Sequence, residues 1–303
     1  MKNLFLFLLL TLSASAHLYP YTLLRDLSLP SVFMDIKILD AKELDFESEK
    51  NIHELSGLAW CPEGLYALSD RGYLYLFHLK IKKQKIKKLK LLKSLPLRDK
   101  NGIVLHKVQR DSEDLSSYYN HLLISFERDN RVVEYSKGAI ALHNVKLNKK
   151  LKRSELFQGK NKGLESVVYN RKYGIITAPE EPLKGTKKSY HTLYAKGEQW
   201  RFQAEGSITS LENIDDDTLL VLLRKYSFFS NRFTSLVRVH LDRCDKNRVC
   251  QSDLLAQFNS SNGWRIDNFE GVCKVGKNRY LMISDDNGSF FQKTLLVLFE
   301  IMN

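Results

Sequence analysis

Five segments of this 303-residue chain repeat one pattern: an apolar stretch carrying a small or acidic residue, a turn, and a second apolar stretch that ends in charge. They are HELSGLAW with LYALSDRG (53–60, 65–72), RDSEDL with HLLISFERDNRV (110–115, 121–132), and NKGLESVVY with YGIITAPEE (161–169, 173–181). SITSLENI with TLLVLLRKY (207–214, 218–226) and DNFEGVCKV with RYLMISDDNG (267–275, 279–288) complete the set. Each pair is followed by a further strand-like run: YLYLFHL (73–79), VVEYS (132–136), HTLYA (191–195), TSLVRVHL (234–241) and TLLVLFEI (294–301). Short runs rich in β-branched and aromatic residues between turn residues predict strands, and no stretch holds a 3.6-residue period long enough for a helix. Repeats of roughly 40–50 residues with three or four strands each define an all-β fold, a β-propeller. Five repeats are visible, which leaves five or six blades. The segment VFMDIKILDAKELDF (32–46) precedes the first repeat and alternates like an outer strand, so it is expected to complete the last blade and close the ring.

Stacking the repeats aligns two layers of residues. The first holds Ser56, Glu113, Glu165, Thr209 and Glu270. The second holds Asp70-Arg71, Glu127-Arg128, Glu180-Glu181, Leu223-Arg224 and Asp285-Asp286. In a propeller, equivalent inner-strand positions face one axis, so these charges should meet in a central polar site. Charges stay on a desolvated surface only when paired or bound to something. Arg71, Arg128 and Arg224 suit an anion, because a guanidinium hydrogen-bonds bidentately. Glu113, Glu180, Asp285 and Asp286 offer oxygens to a hard cation, of which Ca2+ is the best match. Glu127, Glu165 and Glu270 are the candidate catalytic carboxylates, since a positioned carboxylate can serve as general base. The alternative is structural: alternating acids and arginines that neutralise one another or cap backbone N–H groups of the next blade.

The same elements, in the same order over about Ile36 to Ile301, resemble the phytase-like esterase domain family, "esterase-like activity of phytase". The closing NFEG, SDDN and QKTLL set carries the resemblance most specifically. It implies a β-propeller, export, and hydrolysis of a phosphoester or another anionic ester. Two positions depart from the pattern. Ser210 stands where the family usually shows Asp, and Leu223-Arg224 where it shows Glu-Arg, so the fourth repeat should present a less negative wall. The rival readings are a non-catalytic propeller that binds an anionic ligand or envelope partner, and an interaction scaffold. No G-x-S-x-G elbow, H-E-x-x-H, P-loop or G-x-G-x-x-G is present, and lone histidines such as His53 and His191 read as structural.

Met1-Lys2-Asn3, an apolar run from Leu4 to Leu10 and Ala14-Ser15-Ala16 form the three parts of a secretory signal. The apolar run is too short for the roughly 20 residues of a membrane span. Residues 1–16 are therefore expected to be removed on export to the periplasm or medium, leaving one domain over 17–303. The formal charge of +12 is concentrated in KIKKQKIKKLKLLK (80–93). Interleaved Ile and Leu, with no stacking aromatics, suit a strand hairpin with lysines on its wet face. A small anionic or ester ligand is the expected partner; nucleic acid and a membrane span are not, and oligomeric state stays open. Cys244 and Cys250 flank a short polar turn and could close it as a disulfide in an oxidising compartment; Cys61 and Cys273 could pair or stay buried.

Overall fold

The computed structural model describes residues 15–46, 52–159, 161–225, 232–289 and 291–302. Its strands form five antiparallel sheets. Blade 1 runs Leu55–Cys61, Gly64–Ser69, Tyr73–Lys82 and Lys85–Pro96; blade 2 runs Ser112–Tyr118, His121–Phe126, Arg131–Tyr135 and Ala141–Asn144. Blade 3 is Leu164–Asn170, Gly174–Pro179, Tyr190–Tyr194 and Gln199–Gln203, and blade 4 is Ser207–Asn213, Thr218–Lys225, Phe233–Cys244 and Cys250–Asn259. Blade 5 takes Asn268–Gly276, Arg279–Asp285 and Leu295–Ile301 from the C-terminal end and Ile36–Asp45 from the N-terminal end. No sixth blade exists among the described residues.

The ring closes as its first strand lies beside its last: Val297 pairs with Ala41 and Leu295 with Glu43. His17–Pro20 adds to the outer edge of Ile36–Asp45, while Ser15 bridges Lys90 and the Ala16 N–H donates to the Leu89 carbonyl at 3.0 Å. The N-terminal segment thus ties blade 5 to blade 1. Residues 1–14 of the expected export signal lie outside the described residues.

Five apolar clusters fill the ring, each lying mainly between two neighbouring blades. The strand Thr218–Lys225 shows why a continuous apolar run is needed. Leu219, Val221 and Leu223 pack in the cluster shared with blade 3, and Leu220 and Leu222 in the cluster shared with blade 5. Alternate residues face opposite sides of a strand, and both sides are covered here. Each fully buried Leu contributes about 1.5–3 kcal/mol over its exposed state.

In the lysine-rich hairpin, Lys87 and Lys88 are exposed while Ile86 and Leu89 are buried. It is the outer hairpin of blade 1, and Asp40 of the closing strand accepts the Ile86 N–H at 2.8 Å. Cys244 and Cys250 are joined as a disulfide at the outer edge of blade 4. Cys61 and Cys273 are buried free thiols. No helix among the described residues is long and apolar enough to cross a membrane.

Candidate functional site

Each inner strand carries a β-bulge at the same place, and the bulged residue is the first-layer residue. In blade 1, Leu55 faces Ser69 and Gly57 faces Leu68, which leaves Ser56 as the extra residue. The same skip isolates Glu165, Thr209 and Glu270 in blades 3, 4 and 5, and falls on Glu113-Asp114 in blade 2. A bulge re-aims a side chain and bends its strand, and here five bulges turn five side chains toward one axis. Packing at this level is close. A Cβ on Gly57 would sit 2.8 Å from the Leu115 nitrogen, and one on Gly271 2.9 Å from the Ser56 carbonyl.

Strand register also locates the second layer. The residues opposite the bulges are followed by Asp70, Glu127, Glu180, Arg224 and Asp285, which are the equivalent positions. Arg224 therefore stands where the other four blades carry a carboxylate, one step from its alignment by sequence. Its guanidinium lies 2.5 Å from Glu270 and from the Asn268 side-chain oxygen, and 3.7 Å from both Glu165 and Glu180. Burial would lower its pKa, but Glu270, Glu165 and Glu180 together hold it above the usual value.

The next residue in each blade points elsewhere, which corrects the picture of three guanidiniums facing one cavity. Arg71 forks onto Glu54, and Arg128 pairs with Asp111 at 2.8 Å; both are close to half exposed at the rim. Asp286 is also outside the central group. One oxygen accepts the N–H groups of Glu54 and Gly288 at 3.0 Å, and the other accepts the Thr294 hydroxyl at 2.8 Å. It clamps blade 5 to blade 1 and is not placed as a metal ligand. Glu181 has a comparable task, accepting the Ser207 hydroxyl of blade 4 at 2.6 Å. Among the first layer, Ser56 and Thr209 donate to carbonyls of the next blade, Ser112 and Phe269.

What remains at the centre is an acidic well: Asp70, Asp111, Glu113, Glu127, Glu165, Glu180, Glu270 and Asp285. Carboxylate oxygens of Asp111, Glu113 and Glu127 lie within 4.8 Å of one another, as do those of Glu127, Glu165 and Glu180. These triads share Glu127, and both could hold a metal. Burial and crowding by like charges are visible in the acidities. Burial, then Asp285, Glu270 and Asp111, push Asp70 up to about 8. Burial and Glu270 push Asp285 to about 8, and burial with Asp111 and Glu180 pushes Glu127 to about 7. Glu113 and Glu165 are driven well above the usual carboxylate range, mainly by burial.

Several members were not legible as site residues from the repeats. Asp111 lies inside the RDSEDL motif, and Lys162, 2.6 Å from Glu180, inside NKGLES. Asn268 precedes the FEG triplet and donates to Glu270 at 2.6 Å. Gly163 is bound to this geometry, because a Cβ there would lie 2.2 Å from the Glu127 carbonyl oxygen. Asp114, beside the bulge, forms the floor. Its carboxylate accepts the Ser210 hydroxyl at 3.0 Å and the N–H groups of Val167 at 3.1 Å and Leu211 at 3.4 Å. Ser210 in turn accepts the Val272 N–H at 3.2 Å, so the serine at the family's Asp position links blades 2, 4 and 5 beneath the well.

Two openings lead to the well, and both are rimmed by cations. One cleft of about 1080 Å3 is lined by Lys162, Lys188, Arg224 and Lys225, with Glu180 and Asn268. The other, about 510 Å3, is lined by Arg71, Lys107, Arg110 and Arg128, with Asp70 and Asp111.

Fold and site together define a five-bladed propeller with an acidic central well under a basic rim. The chain belongs to the phytase-like family described as "esterase-like activity of phytase", whose model matches residues 50–288. No curated protein matches it. Among solved structures it is similar to the PQQ-bound aldose sugar dehydrogenase of Streptomyces coelicolor, at 11% identity and a TM-score of 0.48, over 89% of this chain and 99% of that one. Glutaminyl cyclase of Myxococcus xanthus shows 11% identity and a TM-score of 0.44, over 88% and 97%. YCF48 of Cyanidioschyzon merolae shows 10% identity and a TM-score of 0.39, over 95% and 99%.

Proposed function

We propose that this protein is an exported hydrolase of phosphoesters or other anionic esters, working with a divalent cation, Ca2+, in the central well. The observation that carries this reading is the pair of carboxylate triads sharing Glu127 beneath a rim of lysines and arginines. An all-oxygen donor set of acids from separate blades fits a hard cation with flexible coordination. Asp111, Glu113, Glu165 and Glu180 would hold it with Glu127. Bound there, Ca2+ would polarise the scissile group's oxygen and acidify a water.

Glu127 and the neighbouring groups divide the rest of the work by position. Arg224 and Lys162, set among the acids, orient the anionic end of the substrate. Glu127, shared by both triads, would take the proton of the attacking water. Asp70, buried beside Asp285 and Glu270, would return one to the leaving oxygen.

The test is hydrolysis of p-nitrophenyl phosphate and of a succinate monoester, in Ca2+ and after chelation. Turnover of either that falls at least about tenfold on chelation supports the proposal. No turnover, with a Ca2+- or phosphate-induced rise in melting temperature, assigns the non-catalytic binding reading instead. No turnover and no shift removes both.

A further inference from the structure

Blade 3 is built differently from its neighbours. Its second and third strands meet in register at Thr177 opposite Tyr194 alone, whereas blades 1, 2 and 5 pair the same strands at five positions and blade 4 at eight. Just past Tyr194 the chain turns away, the Ala195 N–H donating to the Glu198 carbonyl at 3.0 Å. Gly174 to Ile176 is left without a third strand beside it. A cleft of about 350 Å3 opens there, near Tyr169 and so at the far end of the inner strand from Glu165. That volume falls within the range of about 300–1,000 Å3 typical of small-molecule sites.

Its walls are Tyr118, Tyr169, Tyr173 and Tyr194, with Lys146 and Lys196 at the mouth. Tyr119 extends the wall outward. Its ring lies 4.9 Å from Tyr118 and 5.2 Å from Tyr169, and its hydroxyl is 2.6 Å from that of Tyr169. Tyr119 is 76% exposed, and it sits in a two-residue hairpin loop at a φ of +49°. Glycine or asparagine takes that conformation readily, while a bulky residue there costs about 1–2 kcal/mol. An exposed aromatic held in a strained turn points to a surface used for contact.

Charge selects the ligand. Lys146, Lys149, Lys152, Arg171 and Lys196 are exposed, and none forms an ion pair among the described residues. The acidic well does not account for a formal charge of +12; this border carries part of the surplus. Flat ring faces take the C–H face of a pyranose, and lysines take a carboxylate. We propose that the blade 3 cleft binds a carboxylate-bearing sugar of an acidic glycan, its ring on the tyrosine walls and its carboxylate on Lys146 and Lys196. A concave aromatic cleft favours this over a lipid surface, which would be met by a protruding aromatic. The site is independent of the chemistry in the well.

The experiment is calorimetric titration of the full chain with tetragalacturonate and with the neutral galactose tetramer, both in chelator so that no cation contributes. Tetragalacturonate should bind and the neutral tetramer at least about tenfold more weakly. Tyr119→Ala, an exposed change that leaves the core intact, should weaken binding about tenfold; Lys146→Glu with Lys196→Glu should do the same and erase the preference for the acid. Glu127→Gln should bind as the unaltered protein does, which separates this site from the well. No binding, equal binding of the two tetramers, or loss on changing Glu127 but not Tyr119 would overturn the proposal. So would Tyr119-dependent capture on anionic phosphatidylglycerol vesicles without tetragalacturonate binding, which would assign a membrane surface.

Discussion

Glu127→Gln is expected to lower the Ca2+-dependent hydrolysis rate by about 10²- to 10⁴-fold while raising the melting temperature of the cation-free protein at alkaline pH. The first effect follows from Glu127's place in both carboxylate triads and from the general-base role proposed for it. The second follows from crowding. Burial, then Asp111 and Glu180, push the Glu127 carboxyl up to about 7, so above that pH the folded protein holds a charge that its surroundings oppose. A neutral amide of the same shape removes that cost. The two readouts separate a working site from a structural ring of charges. Were Glu127 a structural cap, the substitution would lower stability and leave catalysis to fall with it; steady-state rates and thermal unfolding on one preparation distinguish the cases.

Asp114→Ala should damage the fold severely. Asp114 is fully buried and accepts three donors from blades 3 and 4, the Val167 and Leu211 N–H groups and the Ser210 hydroxyl. Deleting the carboxylate leaves buried donors unpaired, each at about 1–3 kcal/mol. The total is on the order of 4 kcal/mol, a fall of roughly 10 °C in melting temperature for a chain of this size. Asp114→Asn keeps an acceptor oxygen and should lose about half as much. Loss of only a degree or two in Asp114→Ala would mean that the floor is not held by this residue.

Repeats and apolar alternation made the blades, their order and the closing strand legible. VFMDIKILDAKELDF could be assigned to the last blade because it precedes the first repeat and alternates like an outer strand, although its first two residues belong to a short strand, Ser31–Phe33, folded back on Ile36–Ile38. The first layer was legible for the same reason, since Ser56, Glu113, Glu165, Thr209 and Glu270 align across the repeats. The second layer was legible only in part. A one-residue step reverses the face of a strand, and aligning Leu223 with the acids placed Arg224 beside Arg71 and Arg128. The backbone register instead puts Arg224 among Asp70, Glu127, Glu180 and Asp285. Asp285 and Asp286 look alike as adjacent acids, yet Asp286 spends one oxygen on the Glu54 N–H of blade 1 and the other on the Thr294 hydroxyl of its own blade. Lys162 and Asp111 flank their strands and carry no periodic signal. Asp114 is adjacent to the bulge, where simple alternation fails.

The cation proposed for the well has a signature in stability. Asp70 and Asp285 rise from 3.8 to about 8 on folding, and Glu127 from 4.5 to about 7. Between these limits the folded protein binds more protons than the unfolded one, so stability falls as the pH rises. A cation that replaces the lost protons offsets the fall. The direct measurement is thermal unfolding of chelator-treated protein at about pH 5.5 and about pH 8.5, each with and without Ca2+. The melting temperature should be lower by several degrees at the higher pH without Ca2+, and Ca2+ should restore it there while changing little at the lower pH. A melting temperature that stays level or rises over this range, with no response to Ca2+ at either pH, would rule out a cation in the well.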